Sequence, residues 1–129
     1  MVDNRKDMIL EKNTLAVVLN GSSTQGMTAA KNLIHQYNRV LLVGNDRNEL
    51  KSSMRDLAKQ SPAEKIFYVE ADLTSKAELA KFICLVKDKF GGADFVENCM
   101  QIEDDDQRAS FEVALKAFEE AALNQLEVA

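Results

Sequence analysis

Tryptophan is absent from this 129-residue chain, proline and histidine occur once each, and cysteine twice. Two cysteines are too few for a disulfide-stapled scaffold, and Cys84 and Cys99 have no Cys or His neighbours at metal-ligand spacing. They read as two buried free thiols in a reducing compartment. The single histidine, His35, has no serine or acid at a suggestive spacing, so it reads as a structural or surface residue. No apolar run approaches the roughly 20 residues of a membrane span. The opening Met-Val-Asp-Asn-Arg-Lys-Asp is polar and has no signal-peptide core. A basic excess is lacking too: 16 Lys and Arg stand against 21 Asp and Glu, a net charge of −5. Broad attraction to nucleic acid or an anionic membrane is therefore not expected, and a cytoplasmic location is.

What is present is an ordinary globular composition, 46% apolar and 29% charged, at a length that suits one domain. Residues 1–14 are charged and unpatterned and read as a mobile lead-in to a domain over 15–129. The organising stretch runs from Leu15 to Lys31: a short valine-rich apolar run, a loop of small polar residues, and a helical pattern from Gly26. A continuous apolar run of this length reads as a strand buried on both faces. Strand, small-residue loop and helix start together present backbone N–H groups to an anion, usually a phosphate. The Gly-x-x-x-x-Gly spacing of Gly21 and Gly26 is common, and no lysine follows Gly26, so the P-loop pattern is excluded.

Strands are predicted over Leu15–Leu19, Arg39–Val43, Lys65–Val69 and Asp94–Glu97, alternating with helices. The first helix, about Gly26 to Tyr37, carries Ala30, Leu33, Ile34 and Tyr37 on one face, the stripe of a helix lying on a sheet. Asp46 with Glu49, and Ser75 with Glu78, form capping-box starts to helices with Leu50, Met54 and Leu57, and with Leu79, Phe82, Ile83, Val86 and Phe90, inward. Pro62 breaks the chain after the second helix, and Gly91-Gly92 ends the third with a left-handed residue. The acidic run Glu103–Asp106 lacks the glycine and spacing of a calcium loop. It reads as a solvated loop favouring the start of a final helix, about Gln107–Leu126, with Phe111, Leu115, Phe118, Ala122 and Leu126 along one side. No metal site is expected. Alternating strands and helices imply a parallel sheet with helices on its faces, whose ligand crevice lies outside the carboxyl ends of the strands. Those ends carry Asn20-Gly21, Gly44-Asn45, Asp72-Leu73 and Asn98, each small or polar.

From Ala16 to about Gln101 the chain resembles the amino-terminal half of a short-chain dehydrogenase/reductase. Ala71-Asp72-Leu73-Thr74 matches that family's Asp-Val/Leu-Thr motif after the third strand, and Phe90-Gly91-Gly92-Ala93-Asp94 resembles its approach to strand four. The resemblance implies a three-layer α/β half-Rossmann domain with four parallel strands in order 3-2-1-4. It implies NADP or NAD as cofactor, or another adenine nucleotide, held by Gly21, Ser22, Ser23, Thr24, Gln25, Gly26, Asn45, Asp72, Leu73 and Asn98. In the family the aspartate matching Asp72 bonds the adenine amino group.

The departures from the family pattern are specific. In its Thr-Gly-x-x-x-Gly-x-Gly loop only Gly26 falls on a glycine; Asn20 takes the first position and Thr24 the second, unless a one-residue shift lets Gly21 make the first turn. A side chain at Thr24 takes up space the family leaves for the pyrophosphate. Asn-Asn-Ala-Gly becomes Asn98-Cys99-Met100-Gln101, and Glu97 occupies a normally apolar position, which suggests a less buried fourth strand. The acid of NAD-preferring members falls on Gly44, whereas nearby Arg47 suits a 2′-phosphate and tilts the choice to NADP.

The family's tyrosine and lysine, four residues apart, have no counterpart: Tyr37 is followed at that distance by Leu41 and Tyr68 by Asp72. No catalytic residue is therefore expected here, since no other group can serve as the acid or base. Asn124 falls loosely on a family asparagine but reads as a helix-surface residue. The expectation is a degenerate nucleotide-binding domain that binds cofactor weakly or not at all. The alternatives are an interaction protein on the same scaffold, or an oxidoreductase completed by another chain. A homodimer or another protein partner is expected through the final helix or an edge strand four; the competing arrangement folds the helix back over that strand.

Overall fold

Every residue of β1 (Leu15–Leu19) is buried, because β1 has a strand on each side and helices on both faces. The computed structural model describes residues 14–113, 115 and 116. The predicted lead-in thus lies outside the described residues except for Thr14, as do Phe118, Ala122, Asn124 and Leu126. Four parallel strands run in the order β3-β2-β1-β4, with β2 at Arg39–Gly44, β3 at Ile66–Glu70 and β4 at Phe95–Asn98. The half-Rossmann order expected from the resemblance is the order observed.

The pleat sends alternate residues of the central strands to opposite faces. Ala16, Val18, Val40 and Leu42 meet Ala30, Leu33 and Ile34 from the first helical segment and Leu50 and Leu57 from the second. Leu15, Val17, Leu19, Leu41 and Val43 meet Leu79, Phe82, Val86, Phe111 and Leu115 on the other face. Each fully buried leucine or valine stabilises by about 1.5–3 kcal/mol relative to exposure, so these two half-cores hold the three layers together.

The first helix, α1 (Thr24–Leu33), begins two residues before the predicted start because Ser23 Oγ accepts from Gly26 N and satisfies an otherwise orphaned donor. It also ends sooner, so Tyr37 lies beyond it, its ring stacked 6.0 Å from that of Phe95. Helix α2 (Arg47–Ala58) is capped by Asp46, as predicted, and helix α3 (Lys76–Leu85) by Ser75. In neither does the glutamate reach back to its own cap: Glu49 Oε1 accepts from Ser22 Oγ, and Glu78 Oε1 from Asp72 N. These boxes tie their helices to the strand-end loops instead.

Helix α3 passes into a π-helical turn over Val86–Phe90, ended by Gly91 at φ 78°. Residues 105–113 are helical, and the helix starts before Gln107 because Asp104 Oδ1 accepts from Gln107 N. The acidic run is thus a cap and first turn as well as a loop. Phe111 (3% exposed) and Leu115 (8%) are buried against the sheet of their own chain, so this part of the stripe is covered without a partner. Strand β4, with no fully buried residue, is the less buried strand that Glu97 suggested. The thiols differ from expectation: Cys84 is exposed on α3 and Cys99 half-buried, and both are free. Cys84 falls outside the Leu79, Phe82 and Val86 face that meets the sheet.

Candidate nucleotide site

At the carboxyl edge of the sheet the four strand ends surround a cleft of about 210 Å³. Asn20, Gly44, Asn45, Ala71, Asp72, Leu73, Thr74, Met100 and Gln101 line it. Of the residues proposed from sequence, Asn45, Asp72 and Leu73 are brought together here, whereas Gly21 to Gly26 and Asn98 do not line it. A larger groove, about 820 Å³, is defined by α3 and the 105–113 helix rather than by the strand ends. In an open parallel sheet ligands sit beyond the strand ends, which makes the smaller cleft the candidate.

The loop after β1 turns at Asn20, whose φ is 62°. Asparagine is among the few non-glycine residues that tolerate this left-handed conformation. Asn20 therefore supplies the turn, and no one-residue shift to Gly21 is needed. Its side chain also donates from Nδ2 to the Cys99 carbonyl at 3.2 Å, joining the loop to the end of β4. Sequence reasoning left Asn20 out of the site; the signal was asparagine at a first-glycine position directly after a buried strand.

Gly21 is small for a different reason. A Cβ there would lie 2.9 Å from Leu42 Cβ, and its N–H donates to Val43 O at 2.9 Å, so the loop is pressed onto β2. Gly26 brings α1 against the loop: a Cβ would stand 2.3 Å from the Asn20 carbonyl oxygen. Ser23 caps α1, and Ser22 is half-buried with its hydroxyl 3.4 Å from Glu49. Thr24 and Gln25 are exposed in the first turn of α1.

Asp72 is exposed and shaped by its own turn. Thr74 donates to Asp72 Oδ1 from both its backbone N–H (3.1 Å) and its hydroxyl (2.6 Å). The Asp72 N–H is taken by Glu78. Asn98 is exposed at the end of β4, its Oδ1 accepting from Met100 N at 3.0 Å, which sets the turn that brings Met100 and Gln101 to the cleft. Burial, and secondarily the Glu97 charge, push the Cys99 thiol above its ordinary range. Among the described residues no cluster of three His, Cys, Asp or Glu is placed to hold a metal ion, and no helix is long and apolar enough to cross a membrane.

The cleft offers an exposed carboxylate at Asp72 beside the apolar Ala71 and Leu73. The phosphate side offers the start of a ten-residue helix but carries the exposed Thr24 side chain at its first position.

A family model described as short chain dehydrogenase matches residues 14–124. The 3-hydroxyacyl-CoA dehydrogenase type-2 of Drosophila melanogaster is 31% identical over 68% of this chain, and that of Mus musculus 31% over 70%. The chain spans about a third of the length of these curated relatives (32% and 33%). Among solved structures, a short chain dehydrogenase from Bacillus anthracis has a TM-score of 0.60 at 25% identity, covering 69% of this chain and 35% of that one. A short-chain dehydrogenase/reductase from Brucella melitensis has a TM-score of 0.66 at 20% identity, covering 85% and 52%, a likeness of fold.

Proposed function

This chain belongs to the short-chain dehydrogenase family, and we propose that these residues form its NAD(P)-binding domain, without a self-contained catalytic pair. The observation that carries the reading is the cleft at the strand ends with the Asp72 carboxylate exposed in it. Asp72 receives the adenine amino group; its orientation is held because Thr74 occupies Oδ1 from two donors. The start of α1 faces the phosphates, where the helix dipole favours negative charge. A nicotinamide cofactor, when bound, supplies hydride chemistry; the residues here bind and orient it. Proton transfer needs a tyrosine with a lysine four residues on, and neither Tyr37 nor Tyr68 has one.

Calorimetric titration with AMP, NAD and NADP tests this. Measurable binding, weakened by Asp72→Ala, is the expected result; an unchanged affinity in that variant would remove the adenine assignment. No change in absorbance at the reduced-nicotinamide band is expected with an alcohol and ketone panel.

Self-association is a second reading, favoured by β4. With β3 it is one of the two outer strands among the described residues, and Phe95 on it is 38% exposed. An open strand edge offers unpaired N–H and C=O groups to another chain. Light scattering over a dilution series tests for a dimer; a constant monomer mass removes this reading.

A further inference from the structure

The wall of the cleft joins Asp72, which follows β3, to Met100 and Gln101, which follow β4. In the order β3-β2-β1-β4 those strands are the two outer ones, about 14 Å apart at an ordinary strand spacing. The segment after β4 therefore turns back over the end of β1 instead of leaving outward. It is pinned there. Cys99 N donates to Leu19 O at 3.1 Å, and the Cys99 carbonyl accepts from Asn20 Nδ2 at 3.2 Å. Asn98 Oδ1 accepts from Met100 N at 3.0 Å, and Met100 and Ile102 pack against the half-core under α3.

A dinucleotide spans the crevice of a parallel sheet where the strand order reverses, one nucleotide half to each side. Here the reversal falls between β1 and β4. Asn45 and Asp72 belong to the β2–β3 side. The other side is taken up by the chain itself, because Met100 and Gln101 stand where the family pattern has Ala-Gly. The volume is small as well. About 210 Å³ is below the roughly 300–1,000 Å³ of clefts that enclose a whole small-molecule ligand.

We propose that Met100 and Gln101 make this a mononucleotide cleft, which grips the adenosine end of a cofactor and excludes the nicotinamide half. The inference rests on the nucleotide-binding reading above and narrows it. Met100 is half-buried and packed on the core beside the cleft, so it acts as a fixed wall, and the exposed Gln101 extends that wall to the rim. A dinucleotide bound here leaves its nicotinamide riboside in water.

Saturation-transfer NMR with NAD on the full 129-residue chain reads which end of the ligand touches protein. In the wild-type chain saturation reaches the adenine protons and not the nicotinamide protons. In Met100→Ala/Gln101→Gly it reaches both, and calorimetry finds NAD bound about tenfold more tightly than by the wild-type chain, with AMP unchanged. Circular dichroism checks the fold; if the double variant does not fold, Gln101→Gly at its exposed position carries the same comparison. Equal saturation of both ends in the wild-type chain, or a folded variant with no gain for NAD, would overturn the exclusion while leaving the adenosine site standing. No saturation of either ring and no heat with AMP would overturn the nucleotide reading itself.

Discussion

Asn20 holds the Cys99 carbonyl through its side chain, 3.2 Å from Nδ2, while its own backbone sits at φ 62°. One residue thereby performs two tasks, turning the loop out of β1 and fastening it to the end of β4. The hydrogen bond depends on the asparagine side chain, and the turn on a residue that tolerates a left-handed backbone.

Separating the two tasks requires two substitutions. Asn20→Gly loses the hydrogen bond but keeps the turn, whereas Asn20→Ala loses the bond and strains the backbone. Urea denaturation should place the alanine variant about 1 kcal/mol below the glycine variant, the cost of a left-handed alanine. Equal stabilities would mean that the turn relaxes.

Two glycines of the site should respond very differently to a methyl group. At Gly26 a Cβ meets backbone at 2.3 Å, the Asn20 carbonyl oxygen, which cannot swing aside. At Gly44 it meets the flexible end of Leu50 at 3.2 Å. Gly26→Ala should cost about 3 kcal/mol or more and Gly44→Ala about 1 kcal/mol or less, on the scale of overpacking strain, as read from denaturation midpoints.

On the proposed cofactor reading, the exposed Thr24 side chain at the start of α1 should hinder pyrophosphate and leave adenosine unaffected. Thr24→Gly removes the side chain from the first turn of α1. The affinity for ADP-ribose should rise in this variant while that for adenosine stays put, as measured by calorimetry. A parallel change in both would show that the side chain is not the obstacle.

The two thiols should label in a fixed order. Cys84 is exposed, whereas Cys99 is half-buried and held less ionised by burial and by Glu97. Thiolate is the reactive form, so iodoacetamide at pH 8 should modify Cys84 well before Cys99. Peptide mass spectrometry over time reads the order directly.

Alkaline pH should destabilise the fold through Cys99 and Tyr37. Their pKa values lie above the ordinary 9.0 and 10.0, each through burial first and then a nearby carboxylate, Glu97 and Asp94 respectively. The unfolded chain therefore gives up these protons first. The associated stability is complete below pH 9 and is lost as pH rises through the folded values. Urea midpoints should fall above pH 9, and less so in Tyr37→Phe, whose ring can still stack on Phe95.

The caps at Asp46 and Ser75 and the left-handed stop at Gly91 were readable from residue patterns, because each depends on neighbours in sequence, whereas the strand order followed from the family resemblance. Apolar runs such as Leu15–Leu19 demand burial wherever they lie, and a left-handed helix stop demands glycine locally. What only the tertiary structure decided involves residues distant in the chain. Glu49 turned from its own cap to Ser22, Glu78 turned to Asp72, and Asn20 reached Cys99. Arg47 met Glu70 across the exit of two strands, and Leu115 went into its own sheet rather than outward. A side chain's choice among several partners depends on distances that the folded sheet creates. For that reason the frame of the cleft was visible in the sequence, and the ties between its loops were not.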